Sequence, residues 1–194
     1  MSVATAQVVQ VGGARVHLIR GLRQMYAGAH VSGPAFTCRC EPGDNLALHA
    51  ALARAPAGAI VVCDAQGETG WGFFGELMAT DARNRGLAGL VIDGSIRDVE
   101  DIERLGFPVF ARGTAPAPAT KLHTGSTGAP IRLAGEHVAT GDQVIGDRDA
   151  LAVVNESDWA AILEAAQQLG LRDAQVLARL RAGERLADVL GLDV

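Results

Sequence analysis

Apolar and polar positions alternate through this chain in short blocks punctuated by glycine and proline. His30 to Cys40 mixes Val, Phe and Thr with small residues and closes at Pro42-Gly43-Asp44-Asn45, which predicts a strand followed by a turn. Asp44 or Asn45 can cap a short helix through about Arg54, and Pro56 and Gly58 then break the chain. Ala59 to Cys63 reads as a buried strand, so the pattern so far is β-α-β. A glycine-rich loop is expected from Gly67 to Gly75, then a helix from Glu76 to Arg85 with an acid in its first turn, Arg83 and Arg85 in its last, and Gly86 as its stop. Leu87 to Ile92 predicts a buried strand ending at the turn pair Asp93-Gly94. Val99, Ile102 and Leu105 then fall at helical spacing, until Gly106 and Pro108.

Phe107 to Ala111 predicts a further strand, and Thr114 to Ala129 a surface connection too short to separate domains. Ile131 to Leu133, Glu136 to Val138, Gln143 to Ile145 and Leu151 to Val154 predict four short strands in one tightly turned β layer. From Ser157 the spacing is helical. Trp159, Ile162, Leu163, Ala166 and Leu169 form one apolar stripe, Val176, Leu177 and Leu180 another, and Gly170 and Gly183 separate the pieces. The expectation is one α/β domain over residues 1–194, with a mixed sheet and a helical tail over about 157–194 that packs on its own sheet or on a neighbouring subunit.

Composition narrows the partners. Seventeen Lys and Arg against 22 Asp and Glu leave a net charge of -5, too little surplus cation to release counterions from a nucleic acid. No apolar run approaches the roughly 20 residues that span a bilayer, and Met1 to Gln10 lacks the basic start and apolar core of a signal peptide, so a cytoplasmic protein is expected. Cys38, Cys40 and Cys63 are too few and too odd for a disulfide framework. Cys38 and Cys40 share a strand face, which in principle suits a soft metal, but no second Cys/His pair stands at zinc-site spacing and buried small hydrophobes are the simpler reading.

Candidate chemistry collects at two turns. Asp93, Gly94, Arg97 and Asp98 bring both charge signs to a strand-to-helix junction, where open α/β sheets place ligands. Asp98 can cap the following helix or reach a cation. Arg97 can grip a carboxylate or enolate oxygen through its planar fork, or pair with Asp93 or Asp101 at the surface. Gly72-Phe73-Phe74-Gly75-Glu76-Leu77-Met78 enters a helix whose first amides lack partners, an anion-binding feature that is neither a P-loop nor a dinucleotide fingerprint. A small carboxylate fits it, and the plainer alternative is a helix start with Glu76 complementing the dipole.

These motifs resemble the RraA-like family, which includes 4-hydroxy-4-methyl-2-oxoglutarate aldolases with oxaloacetate decarboxylase activity. The family pattern is an acid, twenty residues, then Arg-Asp. Here Glu76 is followed by Leu77 through Ile96 and then Arg97-Asp98. Gly75-Glu76-Leu77-Met78-Ala79-Thr80, Arg85-Gly86-Leu87-Ala88-Gly89, Asp93-Gly94-Ser95-Ile96-Arg97-Asp98 and Leu105 to Gly113 are similar to the family's phrases. So are Pro42-Gly43-Asp44-Asn45 and Gly141 to Asp147, so the likeness runs from about Gly28 to Val154. The chain departs from the family in a shorter region before Gly21 that lacks the common Thr…Asp-Ala opening, and in Ala150 where a glycine usually follows Asp149.

The resemblance implies an α/β/β/α sandwich of swivelling-domain type, assembled as a homotrimer or homohexamer with the active site between subunits. It implies that Asp98 ligates Mg2+ or Mn2+, that Glu76 holds water on that ion, and that Arg97 binds substrate and stabilises the enolate. The backbone amides of Leu77 and Met78, after Gly75, would bind a substrate carboxylate, and Asp173 would reach the site from a neighbouring subunit. The implied activity is retro-aldol cleavage of 4-hydroxy-2-oxo acids to pyruvate with oxaloacetate decarboxylation, as in a class II aldolase. The alternative within the family is a protein-binding regulator of a ribonuclease, without catalysis.

Overall fold

The computed structural model describes residues 3–193, so positions 1 and 2 of the expected N-terminal stretch and position 194 of the expected tail lie outside it. A first helix, α1 (Thr5–Gly12), leads into β1 (Val16–Leu18), β2 (Arg23–Gln24) and β3 (Val31–Arg39). Helices and strands then alternate as α2 (Leu46–Arg54), β4 (Ile60–Gly72), α3 (Glu76–Asn84), β5 (Gly89–Ile96), α4 (Val99–Leu105) and β6 (Val109–Thr114). The remainder is β7 (Ser126–Thr127), β8 (Ile131–Leu133), β9 (Glu136–Val138), β10 (Gln143–Gly146), β11 (Leu151–Val154), α5 (Glu156–Arg181) and α6 (Leu186–Leu190).

The main sheet runs β1-β11-β10-β3-β4-β5-β6-β2, with β7 beside β3. Its middle, β3 through β6, is parallel and its flanks are antiparallel, so the sheet is mixed as the sequence implied. Alternation along each strand sorts the core into layers. Val61, Cys63, Leu90, Ile92, Val109 and Ala111 face one way, into a cluster shared with α2, α3 and α4. Their neighbours Ile60, Val62, Val91 and Phe110 face the other way and meet Ile131, Leu133, Val138, Val144, Leu151 and Val153. The opposite faces of the last two strands, Ile145, Ala152 and Val154, pack on Val8 of α1 and on Ile162 and Ala166 of α5. Helix, β layer, β layer and helix therefore follow in order, and the continuous apolar runs of β4, β5 and β11 reflect burial on both faces.

Several boundaries depart from the sequence reading for physical reasons. The expected loop over Gly67–Gly75 is strand as far as Gly72, because shifts of register between Cys63, Glu68 and Gly72 let β4 keep pairing with β5. Asp93-Gly94 is not a turn. β5 runs on to Ile96, and all eight of its residues are buried. Gly94 is required there by close approach, since a Cβ would meet that of Ala65 at 2.8 Å. The four short C-terminal strands do not form one layer: β8 and β9 make a separate hairpin, whereas β10 and β11 join the main sheet. Gly170 does not divide the tail, because α5 continues through it for 26 residues. A glycine inside a helix costs only about 1 kcal/mol, and a Cβ at this one would press on Gln7 of α1 at 3.1 Å.

The three cysteines are fully buried in the helix-facing core, with Cys40 and Cys63 sulfurs 3.6 Å apart. They fill space as small hydrophobes. No described helix is long and apolar enough to cross a membrane.

Candidate active site

The C-terminal ends of β4 and β5 lie beside the start of α3, and this junction builds the candidate site. Phe73 donates its N–H to the carbonyl of Ser95 at 3.0 Å and Arg97 donates its own to Phe74 at 2.9 Å, so the segment before α3 is stitched to the segment after β5. Glycine permits that contact: a Cβ at Gly72 would meet the Ala115 carbonyl at 2.6 Å, and one at Gly75 would overlap the Asp98 carboxylate. The twenty residues between Glu76 and Arg97 are one helix and one buried strand that return the chain to its starting point.

Asp98 occupies the residue before α4 but does not cap it. Its φ of 55° and ψ of 41° are left-handed, and its side chain makes no capping hydrogen bond. Oδ2 instead accepts from the Glu76 backbone N–H at 3.2 Å and lies 3.4 Å from Nε of Arg97. A non-glycine residue held in this conformation costs roughly 1–3 kcal/mol, which the surrounding structure must offset. Arg97 pairs with neither Asp93 nor Asp101: Asp93 is taken by Arg112 and Asp101 by Arg104. The guanidinium and carboxylate are each about two-fifths exposed, at 40% and 37%, so both remain open to a ligand.

Beside them lies a cavity of about 120 Å3 lined by Gly72, Gly75, Leu77, Met78, Arg97 and Asp98. Leu77 and Met78 stand in the first turn of α3, where amides have no partner within the helix, so the cavity meets the positive end of a helix dipole. Glu76 is exposed at the same turn. Asp173 is not among these residues. Within the chain it lies on α5 and accepts a hydrogen bond from Gln7 of α1 at 3.1 Å.

Three further polar residues line the cavity: Asn45, which the sequence reading took only as a cap candidate and part of a motif, and His49 and Lys121, which it did not single out. Asn45 and His49 are one turn apart at the start of α2. Asn45 donates from Nδ2 to the Phe73 carbonyl at 2.7 Å, tying α2 to the segment before α3. Burial, aided by the positive charge of Lys121, holds the His49 imidazole below its usual pKa. Lys121 sits in the connection after β6, which the buried Asp44 carboxylate clamps by accepting from Thr120 Oγ1 at 2.7 Å and from the Leu122 N–H. Asp44 also accepts from the Leu46 N–H at 2.9 Å. Burial alone would raise its pKa, but these donors lower it to about 2. One sequence signal could have found Lys121: it is the only lysine in the chain.

Among the described residues no group of three or more His, Cys, Asp and Glu is arranged to hold a metal ion. Asp98 nevertheless suits a hard cation that keeps most of its water, since such ions bind through one or two carboxylates and take further oxygens from substrate. Its Oδ1, which takes no hydrogen bond or ion pair among the described residues, offers such an oxygen.

The class the fold defines is a mixed α/β/β/α sandwich, here with an Arg-Asp pair set against a helix start. The chain belongs to the RraA-like family, whose model (Aldolase/RraA) matches residues 5–153. It is 33% identical over 166 residues to a protein of Halalkalibacterium halodurans provisionally named a 4-hydroxy-4-methyl-2-oxoglutarate aldolase, covering 86% of this chain and 78% of that protein. Among solved structures it is similar to RraAS2 of Streptomyces coelicolor, described as an unusual member of the RNase ES inhibitor RraA family, with a TM-score of 0.76, 27% identity and 91% of each chain covered. It is also similar to a protein of Geobacillus kaustophilus described as an S-adenosylmethionine:2-dimethylmenaquinone methyltransferase, with a TM-score of 0.76, 28% identity, and 83% of this chain and 98% of that one covered.

Proposed function

We propose that this protein is a divalent-metal-dependent carbon–carbon lyase that cleaves 4-hydroxy-2-oxo acids of the 4-hydroxy-4-methyl-2-oxoglutarate type and decarboxylates oxaloacetate. One observation carries the reading. Arg97 and Asp98 line one cavity with the open amides of α3, and Asp98 is held in a left-handed conformation that caps nothing on its own helix. The name of the Halalkalibacterium relative supports the same reaction class.

Asp98 would hold a Mg2+ or Mn2+ ion, and such an ion would supply Lewis acidity at the 2-keto group. The amides of Leu77 and Met78 bind the adjacent carboxylate, fixing the C3–C4 bond in one orientation. As that bond breaks, its electrons pass to C3 and the keto oxygen, and the Arg97 guanidinium shares the negative charge. With an aldol substrate the 4-hydroxyl loses its proton to water steered by Glu76, the C4 carbonyl forms, and C3 is reprotonated to give pyruvate. With oxaloacetate, carbon dioxide leaves and no such base is needed.

Assembly as a homotrimer or homohexamer belongs to the same reading, with Asp173 approaching a neighbour's cavity. The exposed Leu171 and Leu177 on α5 and Leu186 and Leu190 on α6 support an apolar contact by this tail. The decisive experiment is pyruvate release from oxaloacetate and from 4-hydroxy-4-methyl-2-oxoglutarate, with Mg2+ and with chelator. Release that the chelator stops is expected. No release with any divalent ion refutes the lyase and favours the family's other role, inhibition of a ribonuclease.

A further inference from the structure

We infer that Lys121, with His49 beside it, receives the second carboxylate of a dicarboxylic oxo acid and so selects diacids over monoacids. The inference rests on the lyase reading and adds a selectivity element to its cavity.

The chain meets its need for cations with sixteen arginines and one lysine, and that lysine lines the cavity that also holds Arg97 and Asp98. Among the described residues no carboxylate lies within ion-pair distance of Lys121. Its place is nevertheless built. Thr120 and Leu122, its two chain neighbours, are both held by the buried Asp44, and Asn45 donates its backbone N–H to the Thr120 carbonyl at 2.9 Å. The loop is thus fastened to the start of α2, the element that carries His49.

The cavity therefore has two cationic groups of different kinds. Arg97 is a planar fork beside the metal-binding carboxylate, suited to the keto-acid end. Lys121 is a compact charge with three rotatable donors on a flexible stem, suited to a carboxylate whose position varies with chain length. His49, half-buried and with its pKa lowered, adds a hydrogen-bonding imidazole without a second full charge at neutral pH. A monocarboxylic ligand would leave the Lys121 ammonium without a counter-charge.

The test is calorimetric binding, with Mg2+ present, of 2-oxoglutarate and of 2-oxopentanoate, which has the same five-carbon chain and lacks the distal carboxylate. The wild-type protein should prefer the diacid by roughly 30-fold, the range of a charge-assisted hydrogen bond. Lys121→Met should reduce that preference to within about threefold, and Lys121→Arg should restore most of it. Asp44→Asn, which loosens the loop without removing the ammonium, should give an intermediate ratio. No preference in the wild-type protein, or a preference that survives in Lys121→Met, overturns the inference. Pyruvate release from oxaloacetate is measured in parallel on the wild-type protein. Diacid preference without release keeps the inference and removes the lyase, whereas release with a preference indifferent to Lys121 does the reverse.

Discussion

Asp93 and Asp98 stand at the same end of β5, each beside an arginine, yet their surroundings differ in what they leave open. Asp93 is 4% exposed; one carboxylate oxygen is taken by Arg112 and the other by the Ala134 N–H at 3.0 Å, so it ties β5 to β6 and to the β8–β9 hairpin. Asp98 is over a third exposed, is shared between the Arg97 guanidinium and one backbone amide, and sits in a strained conformation. A buried pair with its oxygens satisfied is scaffold, because removing one partner strands a charge. An open pair with capacity to spare can bind a ligand, and the left-handed backbone at Asp98 is held by its surroundings at a cost of roughly 1–3 kcal/mol.

Exchanging the two roles is the sharpest way to break this contrast. Asp98→Asn keeps shape and tolerates the left-handed backbone, so pyruvate release should fall about a thousandfold, roughly 4 kcal/mol of barrier, with the thermal midpoint little changed. Near wild-type rates would end the assignment of Asp98 as metal ligand. Asp93→Ala should show the opposite pattern, losing about 3 kcal/mol of unfolding free energy in urea, at the lower edge for buried pairs because Arg112 reaches solvent. An unaltered urea midpoint would reduce Asp93 to a surface contact.

Arg97→Lys keeps the charge and loses the fork. A fall of about 50-fold in kcat/KM is expected, and activity within twofold of wild type would make Arg97 a plain ion-pair partner. The smallest effect concerns Asp44. Its folded-state pKa, about 2, lies below the unfolded value, so its stabilisation is present above about pH 4 and is lost as pH falls toward 2. The stability gap between wild type and Asp44→Asn should therefore shrink over that interval, and a gap that widens on acidification would contradict the clamp.

Much of this molecule was legible along the chain. The blocks that became β3, α2, α3 and α4 were set by period, caps and breakers, all of which act within one or two turns. The family resemblance paired Glu76 with Arg97-Asp98, and in the structure it is the Glu76 backbone N–H that meets the Asp98 carboxylate, with the Glu76 side chain exposed. Misreadings came where a glycine had two uses. Gly94 and Gly170 looked like breaks, but each serves close packing, against Ala65 and Gln7, and those partners are remote in sequence.

The left-handed backbone of Asp98 was equally invisible, because it depends on Gly75 yielding the space where the carboxylate sits. Lys121 reaches the cavity on a loop that Asp44 holds from 76 residues away along the chain, beside His49 on α2. Periodicity and breakers determined most of the helices and strands and their α/β alternation, since local propensity and burial depend on near neighbours, whereas the layer order came from the family resemblance. Which side chains share the cavity was decided by tertiary structure, because it turns on contacts between segments whose spacing along the chain carries no record of their meeting.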